Sequence, residues 1–309
     1  MYKHRVEPFG DFEKHTLEND NGDALSIVPE FGANLLDLRF GGQSVLDGYH
    51  TPEELVDNKW SKNIILFPFP NRMRDGQYTH AGKTYKFDIN SAATNNAIHG
   101  FSKNVEMAVS KVKITEMSAS ITCEYKHNGK HKGFPFKFIF KIQFILRGGE
   151  LTVDMKITNT DKVAFPVGLG WHPYFKISDV SDDISLQMPD CQLIEIDERM
   201  LPTGVKTPFT DFKMLKKINN TILDNGFYIT NQTEKALVTL KSEKGTMTYW
   251  QETGIAKWNF LQVFTPPHRQ SIALEPMTCN IDAFNNKDGL VLLAPKATLD
   301  GKFGVRFQN

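Results

Sequence analysis

Apolar and polar residues alternate with a period of two over much of this chain, the spacing of strands that bury one face. The clearest run is Phe136, Phe138, Phe140, Ile142, Phe144 and Leu146, with Lys137, Lys141 and Gln143 between them. After Arg147-Gly148-Gly149-Glu150 the alternation resumes as Leu151, Val153, Met155 and Ile157, with Thr152, Asp154, Lys156 and Thr158 opposite. Two such runs joined by a short glycine turn predict an antiparallel hairpin. Shorter strands are predicted over 36–40, 119–125, 236–240 and 303–307. Helical periodicity hardly appears between them, which points to packed antiparallel sheets and away from βαβ units. One helix start stands out. Thr51-Pro52-Glu53-Glu54 supplies a hydroxyl N-cap, a proline at N1 and a carboxylate at N3, and predicts a short helix within 51–58. The expected fold class is all-β with few short helices. No linker, repeat or low-complexity tract divides the 309 residues, so one domain over 1–309 is expected.

Composition sharpens this picture at two points. The 23 phenylalanines favour strands, and with 40% hydrophobic residues there is material for a large core. Lys+Arg and Asp+Glu both total 36, so no broad electrostatic field would gather nucleic acid or an anionic membrane, and a small uncharged partner is expected. Oligomeric state is not encoded in any pattern here. Cys123, Cys191 and Cys279 are odd in number and lack CxxC spacing, which suggests neither a disulfide framework nor a zinc knuckle and fits a reducing compartment. The charged stretch 1–20 has no apolar signal-peptide core, and no run of ~18 apolar residues occurs, so a cytoplasmic location is expected.

Candidate chemistry lies in four polar, glycine- and proline-rich stretches between strands. They are Pro68-Phe69-Pro70-Asn71-Arg72-Met73-Arg74-Asp75-Gly76-Gln77-Tyr78, then Asn95-Asn96-Ala97-Ile98-His99-Gly100-Phe101, then Gly168-Leu169-Gly170-Trp171-His172-Pro173-Tyr174-Phe175, and last Ile272-Ala273-Leu274-Glu275-Pro276-Met277-Thr278. Taken singly, His99 and His172 read as structural histidines, Glu275 as a strand-end carboxylate and Arg72 as half of a surface ion pair. His127 and His131 sit in a lysine-rich turn that would repel a cation, and His268 reads as a solvated loop residue. No phosphate loop, metal-ligand cluster or Schiff-base lysine context is present, so no cofactor and no metal are expected.

In order and combination these stretches resemble the aldose 1-epimerase (galactose mutarotase) family. The resemblance rests on Asn71-Arg72, Gly76, Tyr78, Ile98-His99-Gly100, His172 to Phe175, Leu201-Pro202-Thr203-Gly204, Leu223-Asp224 with Phe227, and Glu275-Pro276-Met277-Thr278. Phe31-Gly32-Ala33-Asn34-Leu35 and Gly133-Phe134-Pro135 extend it over nearly the whole chain. It implies an antiparallel β-supersandwich of the galactose mutarotase kind, with a sugar site in an open cleft. One departure falls at Phe101-Ser102-Lys103-Asn104-Val105, where many members carry a second glycine and a tryptophan, so one wall of the cleft is expected to differ.

The reaction so implied, interconversion of the anomers of an aldose such as galactose or glucose, needs one base and one acid. By resemblance these are Glu275 and His172. A carboxylate is ionised near neutrality and tunable by burial, and an imidazole can give a proton and take it back. Arg72, His99, Asp224, Asn71 and Trp171 are then the expected substrate-binding residues, with Tyr174 as a further ring face and Phe175 as either a ring face or a core residue. Leu223-Asp224-Asn225-Gly226 also fits an ordinary turn in which Asp224 caps the backbone. A non-catalytic carbohydrate-binding sandwich would not require both His172 and Glu275. A glycoside hydrolase would call for two carboxylates flanking the bond. A sugar-phosphate epimerase would call for more convergent basic groups than Arg72 and Arg74.

Overall fold

The phenylalanine run forms the spine of the largest sheet. In the computed structural model, which describes residues 1–232 and 234–308, Phe138–Arg147 and Glu150–Asn159 pair in unbroken register from Arg147↔Glu150 to Phe138↔Asn159. Phe138, Phe140, Ile142, Phe144 and Leu146 all turn inward and are fully buried, as the period of two requires. Phe136 lies just outside the strand but stays in the core, its ring stacked on Phe165.

Nine strands make up this sheet, in the order Ala108–Ile114, Ala119–His127, Phe138–Arg147, Glu150–Asn159, Thr298–Gln308, Gly245–Glu252, Lys235–Ser242, Ser185–Gln187 and Lys216–Lys217. A second sheet, of eight strands, runs Pro202–Phe209, Cys191–Ile196, Asp224–Ile229, Phe260–Phe264, Ile272–Met277, Gly170–Trp171 and Ile65–Leu66, with Tyr174–Phe175 also pairing with Ile272–Met277. Both sheets feed one apolar core. Trp171 of the second stacks on Phe303 of the first at 5.2 Å between ring centres. An N-terminal sheet of five strands, Tyr2–Phe9 to Gln43–Ser44, adds Leu17, Leu25, Ile27, Leu35 and Leu38 to the same core.

Among the described residues strands make up 52% and the two α-helices are short, so the fold is all-β and of the galactose mutarotase-like sandwich type. The helix Pro52–Asp57 has the start its sequence specifies. Thr51 Oγ1 accepts from the Glu54 amide at 3.3 Å, and the Glu54 carboxylate accepts from the His50 amide at 2.7 Å. Alternation under-reads the last strand. It runs over Thr298–Gln308, and its first half is masked by Gly301, where a Cβ would come within 2.4 Å of the Trp258 indole nitrogen. Cys123, Cys191 and Cys279 are buried and unpaired, their thiols pushed up to about 12 by desolvation. Among the described residues no helix is long and apolar enough to cross a membrane.

Candidate active site

Glu275 sits in the middle of Ile272–Met277, a strand buried along its whole length. On one flank it pairs with Phe260–Phe264, so that Gln262 stands directly across from it. On the other flank it pairs with two short strands, Gly170 with Met277 and Tyr174 with Ala273. The same register puts His172 opposite Glu275. There the ladder is interrupted, because Pro173 has no amide hydrogen to give, and the His172 backbone bonds instead to the chain at Asn63 and Ile64. The histidine is thereby turned toward the carboxylate, with Nε2 at 3.4 Å from Glu275 Oε1. Gly168 makes the approach of neighbouring chain possible, since a Cβ there would lie 2.3 Å from Cys279 Sγ and 2.9 Å from Pro70.

Arg72 and His99 come from a small ribbon in which Arg72–Arg74 pairs with Asn96–Ile98. The chain leaves this ribbon through two consecutive left-handed residues, His99 at φ 68° and Gly100 at φ 65°. Glycine is required at the second, because a Cβ would lie 2.1 Å from the Phe67 carbonyl oxygen. His99 is held by its amide, which donates to the Asn71 carbonyl at 2.8 Å, and its ring meets that of His172 edge to face at 5.1 Å.

Asn71, Arg72, Ile98, His99, His172, Asp224, Gln262, Phe264 and Glu275 line one cavity of ≈ 90 Å³. Asp224 opens the strand Asp224–Ile229, and so is not the turn residue that its sequence neighbours also fitted. Its carboxylate accepts from Gln262 Nε2 at 2.8 Å, while Gln262 Oε1 accepts from Asn71 Nδ2 at 3.3 Å and Asn71 Oδ1 accepts from Arg72 Nη1 at 3.1 Å. This chain of bonds fixes the arginine and the aspartate around the Glu275 carboxyl. Asn71 thus both lines the cavity and holds Arg72.

Burial sets the electrostatics. Desolvation lifts the Glu275 carboxyl well above the usual carboxylate range; Asp224 adds to the rise and Arg72 opposes it. His172 is pushed far down, by burial and then by Arg72, and His99 likewise by burial, His172, Arg72 and Lys103. Asp224 is raised by burial against the pull of Arg72. Four buried atoms of these lining residues, Arg72 Nε, His99 Nδ1, His172 Nδ1 and Glu275 Oε2, have no hydrogen-bond partner within the protein. Unmet donors and acceptors of this density are costly in a core, and they suit a ligand rich in hydroxyl groups.

The ring faces expected of Trp171, Tyr174 and Phe175 are not at the cavity. Trp171 is fully buried, its Nε1 donating to the Asn63 carbonyl at 3.1 Å, and Phe175 packs edge-on against it. Tyr174 lies behind His172, stacked on it at 5.0 Å with its hydroxyl bonded to the Trp60 carbonyl. The aromatic ring at the cavity is Phe264. In the departure at 101–105, Phe101 stacks on His131 at 4.5 Å and Ser102 is fully buried, with its hydroxyl on the Ile65 carbonyl, while Lys103 and Asn104 are exposed. His127 bonds to the Phe134 carbonyl and the Tyr125 hydroxyl, and His268 meets Trp60 edge-on. Sequence reading missed Gln262. Its signal is a lone polar residue inside the apolar run Phe260-Leu261-Gln262-Val263-Phe264.

A family model described as aldose 1-epimerase matches residues 13–306. YihR, an uncharacterized protein of Escherichia coli K12, is 29% identical over 279 residues, 88% of this chain and 86% of its own length. The galactose mutarotase of Sus scrofa is 25% identical over 218 residues, 68% of this chain and 62% of that one. Among solved structures, a galactose mutarotase-like protein from Clostridium acetobutylicum superimposes with a TM-score of 0.88 at 22% identity, covering 100% of this chain and 98% of its own. A galactose 1-epimerase from Lactobacillus acidophilus NCFM does so with a TM-score of 0.84 at 17% identity, over 100% and 98%.

Proposed function

The chain belongs to the aldose 1-epimerase family, an isomerase family acting on small sugars, and we propose that it interconverts the α and β anomers of a free aldose such as galactose or glucose. The observation that carries this reading is the buried acid-base pair, His172 Nε2 and Glu275 Oε1 at 3.4 Å, on one wall of a cavity lined largely by polar side chains.

In this reading the pair carries a single proton. With the ring closed, that proton first passes from Glu275, where burial favours it, to His172, which gives the reactive state with Glu275 ionised and His172 protonated. Glu275 takes the proton of the anomeric hydroxyl, the carbonyl forms at C1, and the electrons of the breaking C1–O5 bond go to the ring oxygen, which takes the proton of His172. The pair is then neutral on both sides. After the aldehyde turns about C1–C2, closure runs the same transfers backward and restores the starting state. Burial acts on this cycle in a definite direction. By disfavouring both charges it brings the ionised pair toward the neutral pair in energy, and a proton moves most readily between partners so matched. Arg72, His99 and Asp224 would bind the hydroxyls, and the positive charge of Arg72 would steady the oxygen on which charge develops.

Polarimetry of freshly dissolved α-anomers, over a panel of free sugars, tests the proposal. The expected result is a first-order relaxation that quickens in proportion to protein added. Relaxation of every sugar at the buffer rate would overturn it.

A further inference from the structure

The ribbon that carries Arg72 and His99 has little means of keeping its own shape. It holds three residue pairs, and Asn71, Asp75, Asn95 and His99 around it all take left-handed backbone angles. A two-stranded ribbon so short is marginal on its own. It is braced from outside at several places. Gln262 holds Asn71. Asp282 accepts from the Arg74 amide at 2.9 Å, and its own amide donates to the Arg72 carbonyl at 2.8 Å. Asn90 holds Ile98, its Oδ1 accepting from the Ile98 amide at 2.7 Å and its Nδ2 donating to the Ile98 carbonyl at 3.0 Å. A further brace is Arg199.

Arg199 lies in the turn between Cys191–Ile196 and Pro202–Phe209, next to the Leu201-Pro202-Thr203-Gly204 landmark. The turn is itself rigid, for Asp197 Oδ1 accepts from the amides of Arg199 and Leu201, both at 2.9 Å. From it the guanidinium reaches over the segment that leads to His99. Nε donates to the Thr94 carbonyl at 3.0 Å, and Nη2 donates to the Asn95 carbonyl at 2.9 Å, to Asp75 Oδ1 at 2.7 Å and to Asn96 Oδ1 at 3.3 Å. Asn96, fully buried, returns a bond from Nδ2 to the Arg199 carbonyl at 3.0 Å. A planar fork is suited to bridging two chain segments in this way, and a lysine could make only part of the set.

We propose that Arg199 is a positioning residue of the sugar site, fixing the 92–96 turn against Asp75 so that Arg72 and His99 meet the sugar in one geometry. The proposal rests on the mutarotase reading for what the site does. It does not rest on it for where these residues stand. Arg199 is absent from the cavity lining and touches neither Glu275 nor His172, so it acts through the ribbon alone. Misplacement of a binding group by about 1 Å can cost on the order of a hundredfold in rate.

The test compares wild type with Arg199→Ala and Arg199→Lys in two measurements. In mutarotation kinetics Arg199→Ala is expected to raise KM about tenfold and to lower kcat less, with Arg199→Lys recovering part of the loss. In amide hydrogen exchange of the sugar-free protein, the amides of Asn96 to His99 should exchange about tenfold faster in Arg199→Ala while those of the 138–159 hairpin do not change. Unchanged KM, unchanged exchange at Asn96 to His99, or equal acceleration in the hairpin would each overturn the proposal. If wild type quickens the relaxation of no sugar, the functional reading falls and the exchange measurement alone decides the role of Arg199. Should Arg199→Ala fail to fold, Asp75→Asn replaces it, with smaller changes expected in the same direction and no change again fatal.

Discussion

Ten residues pair with ten in the hairpin of Phe138–Arg147 and Glu150–Asn159, whereas three pair with three in the ribbon of Arg72–Arg74 and Asn96–Ile98. The hairpin buries one apolar face and its register never slips. The ribbon is bent by left-handed residues at both ends and is held by Gln262, Asn90, Asp282 and Arg199. The ribbon and its neighbours hold four buried polar atoms without partners, Arg72 Nε, His99 Nδ1, His172 Nδ1 and Glu275 Oε2, against one in the hairpin, Asp154 Oδ1. One region therefore supplies stability and the other withholds it, leaving bonds unmade that a sugar could complete. Strain and unmet polarity of this kind collect at functional sites because the surrounding fold can carry their cost.

The contrast breaks most readily at Glu275. Glu275→Gln keeps the size of the side chain but cannot accept the anomeric proton, so kcat should fall by about 10²- to 10⁴-fold. Stopped polarimetric assays on a sugar that wild type accepts measure this directly, and near wild-type turnover would refute the role given to the carboxylate. Phe140→Ala should do the reverse. Its ring is fully buried and lies 4.5 Å from that of Phe67, so its loss should cost about 3–5 kcal/mol of stability. The protein that remains folded should keep its KM. A shift in KM matching that of a site variant would show the two regions to be coupled.

The smallest effect concerns pH. The unfolded chain releases the Glu275 proton above about pH 4.5, the ordinary range of a carboxyl, while the folded protein retains it because burial raises the group. Wild-type stability therefore falls as pH rises from there toward the folded value. His172 and His99 act at the other end: buried and held neutral, they refuse a proton that the unfolded chain binds below about pH 6.5, so stability also falls as pH drops under that value. Glu275→Gln removes only the first effect. Its melting temperature, relative to wild type, should thus climb between pH 5 and pH 8, and a constant difference across that interval would contradict the buried-carboxyl argument.

These regions also differ in how plainly the sequence announces them. The hairpin can be read from its period of two, because the face a residue takes is decided by its neighbours at two-residue spacing. Most of the cavity could be read from the order of short motifs, through Arg72, His99, Asp224 and Glu275. Trp171 shows where motif reading fails. It adjoins His172 in sequence, yet successive residues in extended chain point to opposite faces, so turning the histidine to the cavity turns the tryptophan into the core. Gln262 fails for another reason. Its importance lies in bridging Asn71 and Asp224, which are 191 and 38 residues away in the chain, and no local pattern encodes a bridge of that span. Arg199 escaped notice likewise, its partners at Asp75 and Thr94 lying more than a hundred residues back.

Those same separations bear on how the molecule comes into being. The Asn71–Gln262 bond closes a loop of 191 residues and the bond of Asp282 to the Arg74 amide one of 208. Loops of that size form slowly, because chain entropy must be lost before the contact returns anything, and β-rich folds dominated by such contacts fold over milliseconds to seconds. During synthesis, at about 5–20 residues per second, the ribbon would emerge early and wait unbraced until residues 262 to 282 arrive. Catalytic competence then appears late and all at once. A nascent chain holding Arg72, His99 and even His172 has the parts of half a site and the activity of none.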